Sequence, residues 1–310
     1  MPVLVDPELQ QQAPATELDR ATAIVPLADD RYAGEVRDGW GAPPGPNGGY
    51  LAAIVTRALQ AHIAPDGERQ LRTLSAHYLR PPRPGEIEVE VATVRAGRRF
   101  STVRATVRQG GKEIIAALAA FSARDLPAAA TWTPLPPDVA AAPARDAARL
   151  APSEYARDSD AWIAPTPEMP SIVHRVKIAP RLGGTPFSGR RLEPGEAADT
   201  GGWIELPTPR PIDAVYVALL TDVWWPPSLE PLTAPAIAPT IDLTIHVRAD
   251  LPPAGLPDQP VLGRFRTSAA VGGLMEEDGE LFLADGTLLA QSRQLALLAP
   301  LDLQAVAPGA

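Results

Sequence analysis

Two apolar helical segments, each followed by a run of alternating residues, constrain this chain more than anything else in it. The first, "NGGYLAAIVTRALQAHI", carries Leu51, Ile54, Val55, Ala58, Leu59 and Ile63 at helical spacing behind a Gly-rich start. Strand patterns follow in "LRTLSAHYLRP", "EIEVEVATVRAG", "RFSTVRATVRQ" and "KEIIAALAAFSA", with "QGGK" as the hairpin turn between the last two. The second segment, "IDAVYVALLTDVW", is apolar on nearly every side. "GGWIEL" precedes it as a strand, and "PTIDLTIHVRAD", "VLGRFRTSAAVGG", "DGELFLAD" and "GTLLAQSRQLALLA" follow it. Alternation in "TIDLTIHVR" predicts Ile241, Leu243, Ile245 and Val247 on one face, and Thr240, Asp242, Thr244 and His246 on the other. A helix that is apolar all round has to be buried all round, so each one needs a sheet to enclose it.

The two halves agree in more than order. "HYLRP" pairs loosely with "HVRAD", and "VRQGGKEIIAALAAF" pairs with "LADGTLLAQSRQLAL", which points to an internal duplication. The expected fold class is α+β: two antiparallel sheets, each wrapped around a helix, joined as a pseudo-dimer in one chain, the arrangement called a double hotdog. Residues 124–170 are rich in Pro and Ala and show neither strand alternation nor a sustained helical period. The expected division is an N-terminal domain over residues 20–125, a Pro/Ala-rich connector over 126–170 and a C-terminal domain over 171–300.

Composition narrows the chemistry. The chain has no cysteine, which removes disulfides and thiolate metal sites, and its four histidines, His62, His77, His174 and His246, lack the short spacings of common zinc sites. A formal net charge of -9 argues against a general nucleic-acid binder, because phosphate contact needs a basic surface. The run "VRAGRRF", with Arg95, Arg98 and Arg99, reads as a solvated hairpin or as a local patch for an anionic ligand. Neither a leader-like start nor an apolar run long enough to span a bilayer is visible, so the expected place is the cytoplasm, with no membrane partner.

Against this background Asp222 stands out, since it closes the apolar run "VALLTD". A carboxylate there is costly unless it is paired, hydrogen-bonded or used. The segments "GPNGGYLAAI" and "LSAHYLRPPRPGEIEVEVATVRAGRRFSTVRATVRQGGK", then "DAVYVALLTD", "PTIDLTIHVR" and "LLAQSRQ", resemble the type II acyl-CoA thioesterases. The resemblance spans both halves and omits the connector and tails. It implies an acyl-CoA substrate and a catalytic set of Asp222, Thr240 and Gln294. Thioester hydrolysis needs a water held against the carbonyl carbon, a group to take its proton, and oriented dipoles. In that scheme Asp222 is the base, made more basic by apolar surroundings, while the Thr240 hydroxyl and Gln294 amide hold the water and orient the carboxylate. No metal or redox cofactor is required. The first-half helix offers no acid, so one active site per chain is expected.

Further candidates for substrate binding are Asn47, Gly48, Gly49, Tyr50, Trp224 and Trp225. Gly48 and Gly49 open the first helix, where free N–H groups could polarise a thioester oxygen, or where glycine only permits a turn and close packing. The family often has Gly-Gly-Gln at this place, whereas this chain has Asn47-Gly48-Gly49-Tyr50, so Asn47 supplies a donor or caps the helix. Trp224 and Trp225 line an acyl or coenzyme channel or pack in the core. Taken singly, Asp222 could bond backbone near its helix end, and Thr240 and Gln294 could be ordinary strand residues. Leu243 stands where the family tends to have His, and Leu295 where it has an acid, which leaves the acyl group open. The alternatives to hydrolysis are a non-catalytic acyl-CoA-binding hotdog protein and a hotdog enoyl-CoA hydratase, although no segment resembles the Asp-His loop of the latter. A homo-oligomer of double hotdogs is a further expectation.

Overall fold

A computed structural model describes residues 15–28 and 30–301. The N-terminal half runs α1 (Glu17–Ala21), β1 (Ile24–Pro26), β2 (Arg31–Val36), α2 (Gly48–Ile63), β3 (Arg69–Tyr78), β4 (Gly85–Arg95), β5 (Phe100–Gln109) and β6 (Lys112–Ala123). The C-terminal half repeats this as β7 (Lys177–Leu182), β8 (Ala198–Glu205), α3 (Ala214–Leu220), β9 (Thr240–Val247), β10 (Val261–Thr267), β11 (Leu274–Phe282) and β12 (Leu288–Leu297). The main strands form one antiparallel sheet in the order β1-β2-β4-β5-β6-β3-β9-β12-β11-β10-β8-β7, and Ala270–Val271 adds a short thirteenth strand beside β11. Read from either end the order is the same, as a duplicated unit requires. The double hotdog expected from the pattern is the fold observed.

The halves meet edge to edge. β3 pairs antiparallel with β9, with Ser75 opposite Thr244 and Leu74 opposite Ile245, so each half removes the other's open edge. α2 and α3 lie side by side over the inner face. Residues 51–56 of α2 and all seven residues of α3 are buried, as their all-round apolar character demands. Each helix starts with the same cap: the side chains of Asn47 and Asp213 accept from the N–H of Tyr50 and Tyr216. The close approach of the helices depends on Gly49, where an added Cβ would lie 2.6 Å from the Leu219 carbonyl oxygen.

Two local departures from the pattern matter. α3 ends at Leu220 rather than running through Trp224; Thr221 bonds back to the Ala218 carbonyl, and Pro226–Pro227 cannot continue a helix. In β9 a bulge falls between Thr240 and Asp242, so Thr240 stands opposite inward-facing Ala296 and Ile241 turns outward. Simple alternation had placed Thr240 with Asp242 on the outer face. The bulge moves it inside.

The same bulge occurs in β3, between Leu71 and Thr73. It fixes which positions of the two halves correspond: Leu71 with Thr240, Leu74 with Leu243 and, through the cross-strand pairs, Ala119 with Gln294 and Val103 with Glu277. Counted from the helix caps, Thr56 corresponds to Asp222.

The Pro/Ala-rich segment is fastened to the C-terminal half. Trp162 packs with Trp203, Leu262, Phe282 and Leu288 in a second apolar cluster. This cluster covers the face opposite the helices, since Trp203 and Leu262 alternate with inward-facing Ile204 and Val261. Buried Arg181 donates to the carbonyls of Ala140, Ala141 and Ser159, and Trp203 and Trp162 donate to those of Ala140 and Ala144. Among the described residues no helix is long and apolar enough to cross a membrane.

Candidate active site

Asp222 lies just past α3, where the start of α2 from the other half faces it. One carboxylate oxygen, Oδ2, accepts from the Gly49 N–H at 2.9 Å and from Asn47 Nδ2 at 3.1 Å. The other, Oδ1, accepts from Gln294 Nε2 at 3.0 Å. Asn47 Nδ2 also donates to the Asp222 carbonyl at 2.6 Å, while its Oδ1 caps α2 through Tyr50 N–H at 2.9 Å, so this side chain both caps and donates. Glycine is required beside it: a Cβ on Gly48 would lie 2.9 Å from Asp222 Oδ2, and one on Gly49 3.0 Å from Asp222 Cβ. The Asp222 carboxylate therefore accepts from backbone of the opposite half, not of its own helix end.

Behind Asp222 the bonds continue into the sheet. Thr240 Oγ1 donates to Gln294 Oε1 at 2.7 Å, so the hydroxyl orients the amide rather than touching the carboxylate. Gln294 spends its second N–H on Glu277 Oε1 at 2.8 Å. The oxygen and both N–H groups of the Gln294 amide are thereby matched, with the oxygen pointed away from Asp222.

The Asp222 carboxyl is pushed up to about 6. Burial raises it, and the donors Gly49, Gln294, Gly48 and Asn47 pull it back only in part. Its hydrogen-bond partners are neutral N–H groups, without a cation among them. It keeps part of its surface open. A carboxylate so placed can take a proton near neutral pH.

Two residues that the sequence pattern did not single out belong to this cluster. Tyr78, at the end of β3, donates its hydroxyl to the Gly48 carbonyl at 2.7 Å and so fixes the peptide next to Asp222. Burial, with the Asp222 charge nearby, holds its phenol well above the usual range. Glu277 is buried on β11, and its signal was hidden in the acidic run "EEDGE", which reads as solvated until the register shows which residue turns inward. Three expected members do not join. Tyr50 is fully buried, stacks on Trp40 and donates to the Ala21 carbonyl, which makes it part of the core under α1. Trp224 stacks on Phe265 and donates to Thr200 Oγ1, again in the core. Trp225, half-buried and packed on Trp224, has no direct bond to the cluster. Among the described residues no group of three or more His, Asp or Glu is arranged to hold a metal ion.

Comparison with known proteins agrees with the fold. Residues 36–122 match the acyl-CoA thioesterase N-terminal domain, and residues 136–298 match the acyl-CoA thioesterase C-terminal domain. The chain belongs to the acyl-CoA thioesterase family. Among solved structures, a hot-dog-fold protein of unknown function from Alicyclobacillus acidocaldarius is 26% identical, with a TM-score of 0.74 over 92% of this chain and 98% of that one. An acyl-CoA thioesterase II from Mycobacterium marinum shares the fold at 20% identity and a TM-score of 0.65, over 92% of this chain and 99% of that one. The thioesterase-like protein TwmA of Talaromyces wortmannii is 34% identical over 93 residues, which are 29% of this chain and 26% of the relative. The aligned segment thus spans about a quarter of the length of that curated relative.

Proposed function

We propose that the protein hydrolyses an acyl-CoA thioester to the free acid and coenzyme A, with Asp222 as the base. Asp222 takes a proton from a water, the water oxygen adds to the carbonyl carbon, and the tetrahedral intermediate collapses with cleavage of the carbon–sulfur bond. The thiolate leaves and takes the proton from Asp222, which gives coenzyme A and restores the base. Gln294 holds the Asp222 carboxylate and Thr240 holds Gln294, which keeps the base in one geometry through the reaction. Gly49 and Asn47 fix the other carboxylate oxygen, so their part is to orient the base rather than the substrate carbonyl.

The observation that carries this reading is one carboxylate at the seam of the two halves, gripped by neutral donors from both and pushed up to about 6. We assign the seam to one site per chain, and divide the chain as a hotdog domain over 20–125, the connector and a hotdog domain over 171–300. The protein's place is the cytoplasm and lipid metabolism, with further association into oligomers of double hotdogs. A panel of acyl-CoA esters of different length, branching and aromatic character, assayed for free thiol, tests the reading. Turnover of at least one class is expected. Binding of acyl-CoA without thiol release from any ester would make the chain a binding protein instead.

A further inference from the structure

Glu277 is a buried acid without an evident structural task. It is 4% exposed, its Oε1 accepts one bond from Gln294, and its Oε2 has no partner among the described residues. Its neighbours along β11 are acids with other work: Asp278 pairs with Arg293 on the outer face, and Glu276 accepts from the N–H groups of Ser268 and Ala269. A buried carboxyl left half-satisfied is destabilising, and the corresponding position of the N-terminal half holds Val103, which shows that the fold accepts an apolar residue there. The four polar positions that the C-terminal half gives to this cluster, those of Asp222, Thr240, Gln294 and Glu277, hold Thr56, Leu71, Ala119 and Val103 in the other half. Glu277 varies between the halves together with the site residues.

We propose that Glu277 is a positioning residue of the thioesterase site: by accepting the second N–H of Gln294 it fixes which way that amide faces, holding the first N–H on Asp222 and the carbonyl on Thr240. An amide free to turn over would present its oxygen to the Asp222 carboxylate, which repels it. Asp222 and Glu277 accept from the same nitrogen, so both cannot carry charge cheaply. Burial and the Asp222 charge hold the Glu277 carboxyl well above the usual range, with Asp278 and Glu276 adding to the push. The pair therefore keeps one proton on Glu277 while Asp222 ionises, and neutral Glu277 still accepts through its carbonyl oxygen.

This rests on the proposed role of Asp222, and the test separates the two. The wild-type protein, Glu277→Val, Glu277→Gln and Asp222→Asn are compared as full chains for melting temperature, kcat, KM and the pH profile of thiol release. Glu277→Val, which installs the residue of the other half, is expected to melt at or above wild type, to lose roughly 10- to 100-fold in kcat and to keep its KM. Glu277→Gln keeps the acceptor and is expected to restore kcat with an unchanged acid limb. Wild-type kcat in Glu277→Val, or equal loss in both variants, overturns the inference, as does a displaced acid limb in Glu277→Gln should the Val variant not fold. Retained turnover in Asp222→Asn instead overturns the underlying reading. The Gln294 side-chain amide gives a readout without turnover: in 15N NMR spectra one of its proton resonances should move toward that of a free amide in Glu277→Val, and an unmoved resonance contradicts the proposal.

Discussion

The two halves of this chain share a fold and differ in the polar residues they bring to their common seam. In the C-terminal half the inner face carries Asp222, Thr240, Gln294 and Glu277; at the matching positions the N-terminal half carries Thr56, Leu71, Ala119 and Val103, all buried. The start of α2 shows the reverse asymmetry. Gly49 brings its N–H to Asp222, whereas the matching residue of α3 is buried Val215, which has a side chain in the way. Near that second place the chain opens a cavity of about 350 Å³ lined by Asp66, Asp213, Gln60 and Gln70 among others, and among the described residues neither of these acids is hydrogen-bonded to either amide. Duplication thus supplied two equivalent seams, and at one of them the N-terminal half gives the Asn47 and Gly49 donors while the C-terminal half gives the Asp222 carboxylate and Gln294. Neither half contains the site alone.

Exchanging residues between the seams tests this contrast. Asp222→Thr, which copies the N-terminal half, should lower turnover by roughly 10²- to 10⁴-fold in a thiol-release assay, the usual worth of a general base. Gln294→Ala, the residue at position 119, should cost less, roughly 10- to 100-fold in kcat, because the base remains and only its orientation is loosened. Gly49→Ala tests the helix contact: the added Cβ meets the Leu219 carbonyl, so denaturant titration should show a loss of about 1–3 kcal/mol. The smallest effect is expected at Thr56, whose hydroxyl is buried without a partner among the described residues. Thr56→Val should leave turnover unchanged and stability equal or raised by up to about 1 kcal/mol. A large loss of turnover there would mean that the second seam is not inert.

Much of this is legible in the sequence. The order of elements, the duplication and the cost of Asp222 follow from periodicity and from the price of burying a charge. The positions that were missed needed register. Thr240 belongs on the outer face by alternation and reaches Gln294 only because Ile241 bulges out. Glu277 is one acid among several until its pairing with Gln294 turns it inward. Tyr50 and Trp224 were drawn into the site by nearness in sequence, while their rings fill the core. The connector has no periodicity because carbonyl contacts to Arg181, Trp162 and Trp203 hold it in place of regular structure.

The most direct measurement is the pH dependence of kcat/KM for thiol release, for the wild type and for Asp222→Asn in parallel. Burial raises the Asp222 carboxyl to about 6, and the reaction needs its deprotonated form. The wild-type rate should therefore climb roughly tenfold per pH unit on the acid side, bend near pH 6 and stay level above it. In Asp222→Asn the residual rate should show no bend near 6, because the group that titrates there is gone. A wild-type bend that persists unchanged in the variant would assign the base to another residue and contradict the central role of Asp222.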